Sequence, residues 1–210
     1  MRIAGWQSAG TAAGAICIVA ILASAVAAPP RELSPQAAAA AGVQVSLDPA
    51  QSKVHYTVDS TLHTVHGTFN VKSGTMTFDP AGGKANGEVI VYAASGDSGN
   101  SSRDARMHKE ILETQKYPDA VFHPTEVQGA VTPNGVSDVR VRGIITLHGR
   151  DHEIVAMVHT EMNADQWKGT AKFEVPYIQW GIKDPSNWML KVKPVVNVEL
   201  EMAGTARPSH

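Results

Sequence analysis

From Val54 onward the chain alternates apolar and polar residues over short runs. In VHYTVD, Val54, Tyr56 and Val58 share a face; Phe69 and Val71 do so in GTFNVK, and Met76 and Phe78 in TMTFD. A period of two marks strands with one buried face. Turn-forming residues punctuate the runs at Lys72-Ser73-Gly74, Asp79-Pro80-Ala81-Gly82-Gly83, Pro133-Asn134-Gly135 and Gly149-Arg150-Asp151. Later runs read GEVIVYAA, AVFHPTEV, VRVRGIITL, EIVAMVHTEM, GTAKFEVPY and VVNVELEMA. Together they predict about eight or nine strands, and their spacing predicts an all-β antiparallel sandwich or barrel.

One segment breaks the period. SSRDARMHKEILETQKYP opens with Ser101 or Ser102 in an N-cap position and stops at Tyr117-Pro118. Met107 and Ile111 lie four apart with Leu112 beside them. The expectation is one short helix, either plugging a barrel end or packed on the outside of the sheet.

The N-terminus has a different texture. Ala12–Ala28 is an apolar run ending in small residues, and Ala25-Val26-Ala27 fits a signal-peptidase site. The run falls short of the roughly 20 residues of a comfortable membrane span, and Pro29-Pro30 follows it in place of a basic flank. Residues 1–27 therefore read as a signal peptide, with an uncleaved anchor as the alternative. Residues 28–43 read as a Pro/Ala linker expected to be poorly ordered, 44–205 as one β domain and 206–210 as a tail. Export to the periplasm or beyond is the corresponding expectation.

Composition removes several functions. Cys17, in the apolar run, is the only cysteine, so the domain has no disulfide, thiolate metal site or cysteine nucleophile. The formal net charge is −2 and the basic residues are scattered, unlike a nucleic-acid-binding face. No G-x-S-x-G, H-E-x-x-H or phosphate-cradling glycine loop occurs. The histidines invite a metal or acid–base reading. His63 and His66 would face opposite sides of a strand, whereas His148 and His152 could converge with Asp151 across a turn. Apart from these the chemistry is apolar. A barrel of about eight strands can be filled by its own side chains or can hold one ligand, and the pattern leaves both open.

Four segments in order resemble the YceI-like family: His66–Pro80, Arg103–Val127, Val141–Val158 and Phe173–Ile182. They correspond to its Gly-x-Phe strand and hairpin, its Arg-Asp pair with short helix and Lys-Tyr-Pro turn, its Leu-His-Gly hairpin, and its strand ending in an aromatic-Gly pair. The chain departs from that pattern at Val71-Lys72, Ile111-Leu112, Pro176-Tyr177 and the insertion Lys183–Trp188. The resemblance implies an extended lipocalin-like barrel of about eight strands with one short helix. It also implies a long cavity for an isoprenoid quinone or polyprenyl chain, export, and often a homodimer. On that implication the wall would comprise Phe69, Val71, Met76, Phe78, Val89, Val91, Phe122, Ile145, Leu147, Val155, Met157, Phe173, Val175 and Val198, with Tyr177 and Trp180 at a mouth. No catalytic residue, metal or cofactor is expected beyond the lipid itself. The rival readings are an enzyme built on His148, Asp151 and His152, and a structural envelope module with a filled barrel.

Overall fold

The structure is a computed structural model and describes residues 42–209. The expected signal peptide and nearly all of the expected linker lie outside the described residues. Nine strands follow: β1 (Val43–Leu47), β2 (Lys53–Asp59), β3 (Thr64–Phe78), β4 (Gly83–Asp97), β5 (Asp119–Gln128), β6 (Gly135–Leu147), β7 (Arg150–Asn163), β8 (Gln166–Val175) and β9 (Val196–Pro208). All pair antiparallel in the order β1-β3-β2-β9-β8-β7-β6-β5-β4, and β4 pairs back onto β3, so the sheet closes into a barrel without a free edge.

The barrel has eight staves because β1 and β2 share one. β1 pairs with Thr75–Phe78 of β3 and with Gly204–Pro208 of β9. β2 takes up the other halves of the same neighbours, Thr64–Asn70 and Asn197–Glu201. Between them Asp48 caps a single 3-10 turn, Pro49–Gln51, by accepting from Ala50 N at 2.9 Å. The β1–β9 contact is close enough that a side chain at Gly204 would run into the Ser46 and Leu47 backbone.

Lys72-Ser73-Gly74 is not a turn. It lies inside the fifteen-residue β3, where the register against β4 shifts between Thr68 and Asn70 and again between Val71 and Ser73. Such a bulge reverses the facing of the residues beyond it. Phe69 therefore points inward at an odd position, and Met76 and Phe78 at even ones. A further shift, between Pro124 and Glu126, does the same in β5, where Phe122 and then Val127 face in. The expected turn at Gly149-Arg150-Asp151 also moves. His148 (φ 53°) and Gly149 (φ 72°) form a two-residue hairpin loop of the type that needs two positive φ angles, and Arg150 already pairs with Leu147.

The one helix, α1 (Ser101–Arg106), runs directly into a π-type turn at Met107–Ile111. Its cap is Asn100 rather than Ser101 or Ser102, because the Asn100 side chain accepts from Arg103 N at 3.0 Å. The Arg103-Asp104 pair ties the helix to the end of β4: Arg103 donates to Ser98 Oγ (2.7 Å) and Ser98 O (2.8 Å), and Ser98 donates to Asp104. Met107 meets the Tyr56 hydroxyl at 3.7 Å, and His108 lies 2.9 Å from Gly96 O. The helix thus caps a barrel end. At the opposite end the core is dense: Val45 is wholly buried, and Trp167, Met162, Met202 and Val131 pack around it.

Candidate functional site

The inward faces of all the staves converge on one cavity of about 540 Å³. Its walls are aliphatic and aromatic: Val54, Tyr56 and Val58 from β2, Ile154, Ala156 and Val158 from β7, Ala171, Phe173 and Val175 from β8. Many of these side chains point inward yet are only half-buried, Phe69, Phe122, Phe173, Val198 and Leu200 among them. They face a cavity rather than packed atoms. The barrel is therefore hollow in its middle and filled at its dense end.

The cavity reaches the helix end of the barrel. There Arg103, Arg106, Met107, Ile111 and Leu112 line it from the helix, Ser60 and His63 from the β2–β3 hairpin, and Pro185, Leu190 and Val192 from the long β8–β9 connection. Arg106 donates to Pro185 O at 3.3 Å, and Ser60 and Val192 form a β-bridge. These contacts hold the three segments together as a rim. Polar groups along the wall are few. Thr160 gives its hydroxyl to Lys168 O at 3.1 Å. The Tyr177 hydroxyl is buried without a hydrogen-bond partner. Its burial, and then the Asp184 carboxylate, push its pKa up to about 12, so it stays a neutral phenol.

Of the residues expected in the wall, Phe69, Met76, Phe78, Val89, Val91, Phe122, Ile145, Leu147, Phe173, Val175 and Val198 lie on the cavity, as does Tyr177. Four do not. Val155 and Met157 point outward, 47% and 50% exposed, while Ile154, Ala156 and Val158 face in. β7 is apolar on both faces from Ile154 to Val158, so a local reading can choose either set. Its second half carries the deciding signal, because polar His159 and Glu161 share the face of Val155 and Met157. Val71 is buried, but in the packed wall beside the bulge rather than on the cavity. Trp180 stacks flat on His152, with centroids 4.1 Å apart, outside the cavity. Met107, Ile111 and Leu112 were legible as an apolar helix face, but nothing local said where that face pointed.

His148, Asp151 and His152 do not converge on one point. His148 lies 2.7 Å from Glu113 and against Tyr117, where it ties the β6–β7 turn to the segment after the helix. Asp151 accepts from Thr146 at 2.5 Å, and His152 is taken up by Trp180. Each member of the expected trio is held by a different neighbour. Elsewhere His159 pairs with Asp138 (2.8 Å), and His66 meets Thr57 (3.0 Å). Among the described residues, no three His, Cys, Asp or Glu side chains come together as a metal site requires.

Comparison with known proteins gives one consistent picture. A family model described as the YceI-like domain matches residues 46–203. A UPF0312 protein of Vibrio cholerae (strain M66-2) is 27% identical over 179 residues, which covers 82% of this chain and 92% of that protein. Among solved structures, Burkholderia cenocepacia BcnA superposes with a TM-score of 0.62 at 18% identity, covering 76% of this chain and 99% of that one. A polyisoprenoid binding domain from Saccharophagus degradans, implicated in plant cell wall breakdown, superposes with a TM-score of 0.59 at 15% identity, covering 78% and 98%.

Proposed function

The chain belongs to the YceI-like domain family, and from that premise we propose that its barrel binds an apolar isoprenoid-type lipid, a quinone tail or polyprenyl chain, and carries it without chemical change. The observation that carries this reading is the cavity itself: about 540 Å³, within the size range of small-molecule sites, and walled almost entirely by hydrocarbon.

The energetics favour a long apolar ligand. Each buried CH2 contributes about 0.8 kcal/mol, so a five-carbon prenyl unit contributes on the order of 4 kcal/mol. Association costs about 4–15 kcal/mol. Two units, on the order of 8 kcal/mol, already offset the lower part of that cost without any hydrogen bond, and affinity then grows with chain length. A polar head group has its place at the helix end, where Arg103, Arg106 and His63 stand at the rim. The polyisoprenoid binding of the Saccharophagus degradans domain supports the same ligand class. The expected signal peptide supports action outside the cytoplasm, where such a lipid needs a carrier between membranes.

The test is organic extraction of the protein purified from its natural compartment, followed by mass spectrometry. A prenyl lipid near one per protein is expected. Protein that yields no lipid, and that takes up none of a farnesol-to-polyprenol series added in buffer, would overturn the reading.

A further inference from the structure

Two turn tips at the cavity rim display large apolar side chains to solvent. Turn tips are ordinarily polar, so the pair stands out. In the β2–β3 hairpin, Ser60 N donates to His63 O at 3.1 Å, and the tip between them carries Leu62, 68% exposed. In the β8–β9 connection, Asn187 Oδ1 accepts from both Met189 N (2.9 Å) and Leu190 N (2.8 Å). That turn displays Trp188 at 87% and Met189 at 61% exposure. The two tips are bound to each other: Thr61 N donates to Lys191 O at 2.9 Å, and Lys191 N to Thr61 Oγ1 at 3.2 Å. The same segments turn Ser60, His63, Leu190 and Val192 toward the cavity. The apolar tips are thus continuous with the cavity lining, one or two residues away.

We infer that Leu62, Trp188 and Met189 form a docking surface for a phospholipid bilayer, seating the cavity rim in the membrane interface. The inference rests on the lipid-carrier reading, since a ligand with negligible aqueous solubility must pass between bilayer and cavity. Tryptophan favours the interface, where its ring meets acyl chains and its N–H meets water. Lys191 follows Trp188 and Met189 in the same short segment, while Lys183 and Lys193 on either side are paired with Glu110 (3.0 Å) and Asp59 (2.9 Å). The Lys191 stem can reach the phosphate level while its apolar neighbours insert. Three side chains are too few for a stable protein interface, which needs roughly 800 Å² from each partner, but they suffice for shallow, reversible insertion.

The experiment uses the full chain and the same chain with Leu62→Ser, Trp188→Ser and Met189→Ser, so that the N-terminal apolar segment is common to both. Each is mixed with vesicles of phosphatidylcholine carrying brominated acyl chains, and tryptophan quenching and flotation are read. Trp167 is buried, Trp180 is stacked on His152 and Trp6 is common to both chains, so bromine quenching that the triple variant loses reports Trp188. The expected result is stronger quenching and a larger blue shift in the wild type than in the variant, with farnesol binding in vesicle-free buffer unchanged. A wild type that floats without quenching of Trp188, or does not float at all, overturns the docking surface. So does a variant whose only change is in oligomeric state, since the patch would then be covered by a second copy. Trp188 quenching without farnesol binding would instead refute the carrier reading and leave the docking surface standing.

Discussion

Ala156 offers the sharpest test of whether the barrel interior is a ligand site. It sits mid-way along β7, opposite Val141 of β6, is 4% exposed, and faces the cavity. Ala156→Phe places a benzyl ring inside the barrel. An apolar cavity that holds benzene measures about 150 Å³, so the ring removes a little over a quarter of the 540 Å³ present. In a filled core the same change would overpack and cost about 1–3 kcal/mol. Here the ring enters existing space and gains apolar contacts, so stability in urea should hold or rise. Ligand binding should fall. Displacing one prenyl unit forfeits on the order of 4 kcal/mol, close to three orders of magnitude in Kd.

The control is one residue away. Val155→Phe adds the same kind of bulk to the outer face, where Val155 is 47% exposed, and should leave both quantities unchanged. Displacement of a fluorescent polyene by farnesol reads the binding, and urea unfolding reads the stability. The reasoning is refuted if Ala156→Phe destabilises by 1–3 kcal/mol or more while binding stays at the wild-type level, or if Val155→Phe impairs binding equally.

Three further outcomes follow from the same geometry. Met157→Asp should shift stability by no more than about 0.5 kcal/mol, whereas Val158→Asp, one residue on and inward-facing, should cost on the order of 3–5 kcal/mol by burying an unpaired charge; urea midpoints compare them. His152 is held below its ordinary pKa by burial first and the Arg150 charge second, against Asp151. The unfolded chain then binds the proton more readily, so this contribution to stability is complete above pH ~6.5 and is lost as the pH falls through the folded-state value. His152→Phe, which keeps a ring on Trp180, should flatten the fall in melting temperature between about pH 7 and pH 5. Ala164 holds φ at 55° in the β7–β8 turn, so Ala164→Gly should stabilise by about 1 kcal/mol in the same urea assay.

Much of the fold was legible from local pattern. The apolar alternation in VHYTVD and the GEVIVYAA run became β2 and part of β4, and the Met107/Ile111 periodicity became a helical segment. Errors fell where a local signal has two structural meanings. Lys72-Ser73-Gly74 carries turn residues, yet a bulge uses the same residue types without ending the strand. Ser101 and Ser102 are good caps, but Asn100 stands one position earlier and reaches the free Arg103 amide. His148 and His152 have a spacing suited to convergence, and the hairpin sends them to Glu113 and Trp180 instead.

The chain by itself determined that strands form, that one helix interrupts them, and that the domain carries no cysteine. Those are local properties, set by alternation, residue type and spacing. The tertiary structure alone decided which residues face inward along β3, β5 and β7, because facing depends on bulges and on pairing with neighbours. It also decided that the barrel is hollow. A strand's apolar face reads the same whether it meets another side chain or a cavity. Only the closure of eight staves, with Phe69, Phe122 and Phe173 too few to fill the space between them, leaves about 540 Å³ inside.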